Sequence, residues 1–391
     1  MEDLSLKHNK ADYLLSITAA WQCLLALIQV FMLDVLYMDP GGANMIRVLA
    51  TAIPIVLSML IVVKRNISLT FVSFCIVGAI LFITLLLYPD RWEYMRDDVL
   101  KFTLPVVVPT GLCIASVKKL PIFIRCVQWV SVFAAIVGLA YAVLYMIGAF
   151  VIESYNMTFS YSLLFPTCVM INRKKFIWKG IALLLMVEML AIGSRGALLI
   201  AIAYWSFTLV WGKKSLGQIM IYGILIAAVY FLFFDSIIRI LVDLFDAVGI
   251  SSRTLTLLLN DELISHSSGR DELFEATWHL INKNPIFGSG VWADRQYFDG
   301  YCHNVFLELL LNYGYFGTSI ILLIFSVKQI GIYSRIPFNH KVMYVMMLSL
   351  LCQLVASGSY LVSFNVGMFL GFSYLLSKLN RKGLDQDYVF S

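Results

Sequence analysis

The 391-residue sequence predicts an all-α polytopic membrane protein, with about twelve transmembrane helices and one large outer loop carrying short amphipathic helices. Three observations predict it. Hydrophobic residues make up 60% of the chain and charged residues 14%, with a mean hydropathy of +0.84, more apolar surface than a soluble fold of this length can bury. Apolar runs of about 17 to 25 residues, long enough to cross a hydrocarbon core of roughly 30 Å, recur twelve times. Every connection between them is short except residues 235–302, so residues 1–391 are expected to form a single integral membrane domain.

The runs lie near 11–33, 46–63, 67–88, 99–117, 121–150, 155–172, 176–193, 196–211, 216–234, 303–327, 341–357 and 362–378. The first is too long for a signal-peptide core and lacks a small-x-small cleavage site, so it reads as a retained helix. Positive charge orients the rest. With the N-terminus inside, the inner segments hold 19 of the 29 Lys and Arg, including Lys64-Arg65, Lys118-Lys119 and Arg173-Lys174-Lys175. That asymmetry puts both termini in the cytoplasm. The net charge of +5 is thus a signature of topology and does not point to nucleic acid. Six of the seven cysteines fall inside apolar runs, so Cys302 has no outer partner for an intramolecular disulfide.

Short inner connections leave no room for a soluble catalytic domain, and no GxxxxGK[ST] occurs, so any chemistry belongs at the outer face. The 235–302 loop separates the ninth and tenth runs. Within it, SSGRDELFEATWHLINKNPIFGSG predicts an amphipathic helix. Ser268 caps it with Asp271 three residues on, Phe274, Trp278 and Ile281 share a face, and Asn284-Pro285 stops it. Arg270 stands in the first turn, where the free N–H groups and the helix dipole attract anions and a cation is mildly unfavourable. The turn GSRG, at 193–196, repeats this arrangement: Ser194 caps the eighth run and Arg195 opens it. Arg253, in SSRTL, is a third basic residue of the outer face. A snorkelling Arg195 at the headgroups and a solvated Arg270 are the plain alternatives. Two guanidiniums also suit one diphosphate, since each grips phosphate oxygens bidentately.

The segment YCHNVFLELLLNYGYFG, from Tyr301 to Gly317, places two hydrogen-bonding side chains at the mouth of an apolar run. At a helix start the dipole disfavours imidazolium, so His303 is favoured as a neutral ring able to accept a proton. Asn304 is expected to hold that ring or a sugar hydroxyl. Gly314 and Gly317 permit close approach by a neighbouring element. Glu188 and Glu308 are functional candidates because ionisable groups inside a bilayer are costly. A structural ion pair with Arg195, seven residues on, is the alternative for Glu188.

His303-Asn304, nine residues, then Gly314-Tyr315-Phe316-Gly317 resembles the H-N-x9-G-x-x-G signature of the O-antigen ligase and O-antigen polymerase superfamily. SGR at 268–270, NPIFGSG at 284–290 and GSRG at 193–196 resemble its other recurring elements, in the expected order. The resemblance implies a metal-independent membrane-embedded glycosyltransferase, without cofactor, in the bacterial plasma membrane. Its donor would be a glycan on undecaprenyl diphosphate, moved to a glycan acceptor's hydroxyl at the outer face. Carried over by position, Arg195 and Arg270 would hold the diphosphate and His303 would act at the acceptor hydroxyl or leaving group. Asn304, Arg253, Ser194, Glu308 and Gly269 are expected on the substrate. Polymerisation of repeat units is favoured; ligation of finished chains to lipid A core or protein is the alternative. Membrane lipids, a chain-length regulator and a flippase are partners the resemblance allows, and no nucleic acid is expected.

Two other classes fit less well. A transporter or flippase built from repeated halves would carry polar groups near the midplane, whereas here they gather at the outer edge. A metal-dependent glycosyltransferase would want paired carboxylates on an early outer loop, and Asp34, Asp39, Asp97 and Asp98 form no DxD.

Overall fold

The structure, a computed structural model, describes residues 2–150, 156–192, 194–210 and 270–381, together with residues 239, 240, 242, 243 and 247. The predicted ninth span, residues 248–269 of the 235–302 loop with Arg253, Ser268 and Gly269 among them, and Gly193 lie outside the described residues.

All regular elements among the described residues are helical. They comprise α1 (Glu2–Asp34), α2 (Pro40–Leu87), a 3-10 turn (Pro89–Arg91), α3 (Trp92–Asp98), a π-helical stretch (Val99–Val107), α4 (Val108–Ala115), α5 (Leu120–Met146), α6 (Met157–Asn172), α7 (Phe176–Ile192) and α8 (Arg195–Val210). Following α8 in the chain come α9 (Arg270–Lys283), α10 (Ala293–Phe298), α11 (Val305–Arg335), α12 (Phe338–Leu351), α13 (Gln353–Ala356) and α14 (Phe364–Arg381). Six helices among the described residues are long and apolar enough to cross a membrane. The chain is a polytopic α-helical membrane protein. Helix α2 fuses the second and third predicted spans across a kink at Asn66, and other predicted spans form shorter or less apolar helices.

The Asn66 kink shows how charge is accommodated at a helix end. Arg65 donates to the buried Asp12 carboxylate and to the Ser116 carbonyl at 3.0 Å, while Asn66 Nδ2 donates to Ser116 Oγ at 2.8 Å. Asp12 also accepts from the Lys119 backbone N–H at 2.9 Å. A buried carboxylate paired with a guanidinium and backbone donors avoids the penalty of an isolated charge.

The chain divides into two compact units. One comprises Met1–Gln22, Val48–Val127 and Ser268–Val389; the other comprises Cys23–Arg47, Gln128–Ser267 and Phe390–Ser391. The first unit is knitted by α4 and α14, which touch backbone to backbone. A Cβ on Gly367 would lie 2.1 Å from the Val107 carbonyl oxygen, and one on Gly371 would lie 2.3 Å from that of Gly111. Gly367 and Gly371 are four apart, the small-xxx-small spacing that lets membrane helices approach this closely. In the second unit, α6, α7 and α8 pack together, and the start of α6 is tied at several points. Asn156 Nδ2 and Tyr141 Oη donate to Asp34 Oδ2 at 2.9 and 2.6 Å, and Asn156 N donates to the Ile192 carbonyl at 2.9 Å.

Gly367→Ala is expected to lower the thermal midpoint of the detergent-purified protein sharply, or to stop it accumulating in the membrane. Gly180→Ala, whose added Cβ meets nothing within 4 Å, should be neutral or slightly stabilising because Ala is the better helix former. Equal midpoints for the two variants would show that the α4–α14 crossing tolerates separation.

Candidate functional site

Helix α9 ends at Lys283, where Asn284-Pro285 was expected to stop it. Its Ile281 packs with Ala293, Cys302, Leu307 and Leu311, with Phe274 alongside, so two residues of the predicted apolar face rest on α11, while Trp278, expected to share that face, is exposed. The following loop, residues 285–290, does something the sequence did not announce. Helix α11 is interrupted at Gly314 (φ 64°, ψ −174°), and the loop enters the gap. Tyr315 N and Phe316 N, which would ordinarily donate four residues back within the helix, donate instead to the carbonyls of Pro285 and Ile286 at 2.7 and 3.1 Å. The freed carbonyls of Leu311 and Asn312 accept from Ser289 N and Gly290 N at 2.7 and 3.0 Å. Two helical bonds are thereby replaced by four bonds to the loop.

Glycine is required on both sides of this splice. A Cβ on Gly288 would lie 2.4 Å from Gly314 N, and one on Gly314 would lie 2.4 Å from the Ile286 carbonyl; both residues also have positive φ. Gly314 therefore admits a loop of its own chain, where a neighbouring element had been expected. Gly317 faces the side chain of Tyr313. Arg91 clamps the loop from the other side. Its buried guanidinium donates to the carbonyls of Ser289 and Val291 at 2.7 and 3.2 Å and to Gln296 Oε1 at 3.0 Å, and it lies over the Tyr88 ring.

The spliced helix begins at Val305, and Asn304 is its N-cap. Asn304 Oδ1 accepts from Phe306 N and Leu307 N at 2.9 and 3.2 Å, and Nδ2 donates to the Val355 carbonyl at 3.1 Å. Those bonds account for Asn304 without a ligand, where contact with His303 or a sugar hydroxyl had been expected. His303 stands just outside the helix in the left-handed region (φ 56°), its ring 4.3 Å from that of Tyr301 and its Nδ1 3.4 Å from Ser357 Oγ. Arg270, first residue of α9, donates from Nη1 to the Ala356 carbonyl at 2.5 Å. The structure thus brings Arg270, His303 and Asn304 onto three consecutive residues, Val355, Ala356 and Ser357. Burial, with Arg270 nearby, lowers the His303 pKa below its ordinary value, which favours the neutral ring.

Behind this surface lies a cage that sequence reasoning missed. Arg295, on α10, donates to Asp98 Oδ2 at 2.8 Å, Asp294 Oδ2 at 2.5 Å, Glu308 Oε1 at 2.8 Å and Ser359 Oγ at 2.8 Å. Ser359 donates to Glu308 Oε1 at 2.5 Å, and Tyr360 N donates to Glu308 Oε2 at 3.3 Å. Asp294 and Glu308 are 0% and 1% exposed. Burial works against charge on Arg295, but Asp294, Glu308 and Asp98 outweigh it and raise its pKa. Burial likewise raises that of Asp294, against the pull of Arg295. Glu308, expected on the substrate, is instead enclosed, with both oxygens engaged by protein. The signals available in the sequence were Glu308 within an apolar run and the adjacent opposite charges of Asp294-Arg295.

The remaining expected residues belong elsewhere. Ser194 Oγ accepts from Gly196 N at 3.3 Å, the capping contact expected where Arg195 opens α8, and Ser194 N donates to Ser160 Oγ at 2.8 Å. Glu188 does not pair with Arg195: both its oxygens are buried without a hydrogen-bond partner among the described residues, beside Gly138 and Leu163. Cys302 lies outside the apolar helices, as expected, but is 0% exposed, with Thr277 Oγ1 3.9 Å from its sulfur.

Chemically, the first unit presents a neutral imidazole and a guanidinium at adjacent points of one backbone stretch, above a rigid ionic base. This pairing can accept a proton and neutralise a phosphate. No curated protein and no solved structure matches the chain. A family model described as O-antigen ligase matches residues 180–322, a span that takes in the Ser194 cap, α9, the loop splice and the start of α11. Over that span the chain is similar to the O-antigen ligase family.

Proposed function

We propose that this protein polymerises undecaprenyl-diphosphate-linked oligosaccharide repeat units of a surface polysaccharide at the outer face of the bacterial plasma membrane, with both termini cytoplasmic and without a metal ion. The observation that carries the proposal is the convergence of Arg270 and His303 on Ala356 and Ser357. In the reaction, an acceptor hydroxyl attacks the anomeric carbon of the donor glycan. Its oxygen forms the new glycosidic bond while the bond from that carbon to the diphosphate oxygen breaks, and the electron pair leaves with the diphosphate. His303 takes the hydroxyl proton. Arg270 neutralises the leaving diphosphate; Arg195, in the second unit, enters this role through the sequence resemblance. The description of the matching family favours one second reading, ligation of finished chains to another acceptor.

A deletion strain separates the two outcomes. Surface glycan reduced to single repeat units supports polymerase, whereas long chains left unattached would establish the ligase instead.

Arg195→Lys and Arg270→Lys keep charge but lose the bidentate fork. Each should reduce transfer strongly while the protein still accumulates. Near wild-type polymer from both variants would remove the arginines from the diphosphate.

The lowered His303 pKa has a definite sign. A base whose pKa is depressed stays neutral further into acid, so the acid limb of the single-turnover rate should fall below the ordinary histidine value of 6.5. His303→Gln should lose that limb together with a factor of about 10² to 10⁴ in rate. Wild-type rates for His303→Gln from pH 5 to 9 would reject the general base.

A further inference from the structure

Residues 355–357 were expected to end the eleventh span and 358–361 to be a short connection, yet the polar contacts of the site converge on this stretch. Asn304, Arg270 and His303 meet Val355, Ala356 and Ser357 in succession. Two residues further on, Ser359 is fixed by Arg295 and Glu308, and Leu361 N donates to Ser359 Oγ at 3.2 Å. The far end is held by Thr103 Oγ1, which donates to the Leu361 carbonyl at 2.9 Å. Ser357 itself is buried and extended, and its N–H donates to the Gln353 carbonyl at 2.7 Å. Its hydroxyl therefore occupies a place defined on both sides by backbone and ionic contacts.

We propose that Ser357 is a positioning residue for transfer: its hydroxyl accepts from His303 Nδ1–H, leaving the lone pair on Nε2, and the Arg295 cage holds it there through Ser359. The inference rests on His303 acting as general base. A histidine can take a proton only at the nitrogen without one, so whatever accepts from the other nitrogen selects the working tautomer and fixes the ring plane. The contact of 3.4 Å is long for a neutral pair. It should tighten as the ring becomes imidazolium, since charge-assisted bonds are shorter and stronger. The charged group facing His303 is Arg270, from α9, and the titratable one is Tyr301, from its own segment. The group at His303 Nδ1 is the neutral hydroxyl of Ser357, at 3.4 Å, and the proposal assigns it the Nδ1 proton. The strongly ionic groups of the cage are kept one step away, where they fix geometry without turning the imidazole into a permanent cation.

The test is single-turnover transfer from purified donor, with donor binding measured separately, for Ser357→Ala, Ser357→Thr and Arg295→Lys, and for Ser357→Ala combined with His303→Gln. Ser357→Ala should lose about tenfold or more, part of the general-base contribution, while donor binding is kept. Its acid limb should move to lower pH, because the imidazolium loses its acceptor. Ser357→Thr, which keeps the hydroxyl on an extended backbone, should recover most of the rate, and Arg295→Lys should shift rate and limb in the same direction as Ser357→Ala. In the His303→Gln background, Ser357→Ala should cost nothing further. A wild-type rate and acid limb for Ser357→Ala, or a loss fully additive with that of His303→Gln, overturns the inference alone. A wild-type rate for His303→Gln overturns the general-base reading and this inference together. Should Ser357→Ala fail to accumulate, Ser357→Gly carries the same comparison.

Discussion

An interrupted helix in an apolar environment must find new partners for its freed N–H and C=O groups, and the first unit is organised around that requirement. Water is scarce where α11 runs, and an unpaired backbone group there would cost several kcal/mol, of order 2 to 7. The break at Gly314 frees two donors and two acceptors, and residues 285–290 satisfy all four. Once the loop is spliced into the helix, its two ends are committed. Helix α9 must leave from one side of the splice and α10 from the other. Arg270 and Arg295 are carried on those two helices, so the backbone exchange decides where both guanidiniums stand.

The two arginines then face different environments and serve different ends. Arg295 is enclosed by Asp98, Asp294, Glu308 and Ser359. One guanidinium and three carboxylates form a unit whose members cannot be removed singly without exposing a buried charge, a loss of about 3 to 5 kcal/mol for such pairs. Arg270 is bound to a backbone carbonyl at the edge of the same region. The first arrangement gives rigidity, and the second places a cation beside His303.

Several parts of this were legible in the residues themselves. Apolar run lengths gave the membrane helices, and Asn284-Pro285 gave the end of α9, because those signals act locally. Ser194 capping α8 follows the same logic, since a cap uses only neighbours in sequence, whereas Asn304, which caps α11, was read as a partner of His303 or a sugar hydroxyl. The glycines at 288 and 314 were visible as motif positions, but their common purpose was not. It depends on contacts across twenty-six positions of chain, and each glycine separately has many meanings. Glu308 illustrates the same limit. An acid in an apolar run signals a special environment but does not say whether a ligand or Arg295 supplies it.

The sequence by itself determined that the chain is a helical membrane protein, that residues 180–322 resemble the O-antigen ligase family, and which imidazole and guanidiniums to examine. Hydropathy, charge asymmetry and motif spacing are properties of the covalent chain and need no partner. Only the tertiary structure decided that 285–290 completes α11, that Glu308 and Asp294 hold Arg295, and that Ser357 stands at His303 Nδ1. Apart from the neighbouring pair Asp294 and Arg295, each of those joins residues separated in the chain through hydrogen bonds whose formation depends on burial, and burial is created by folding.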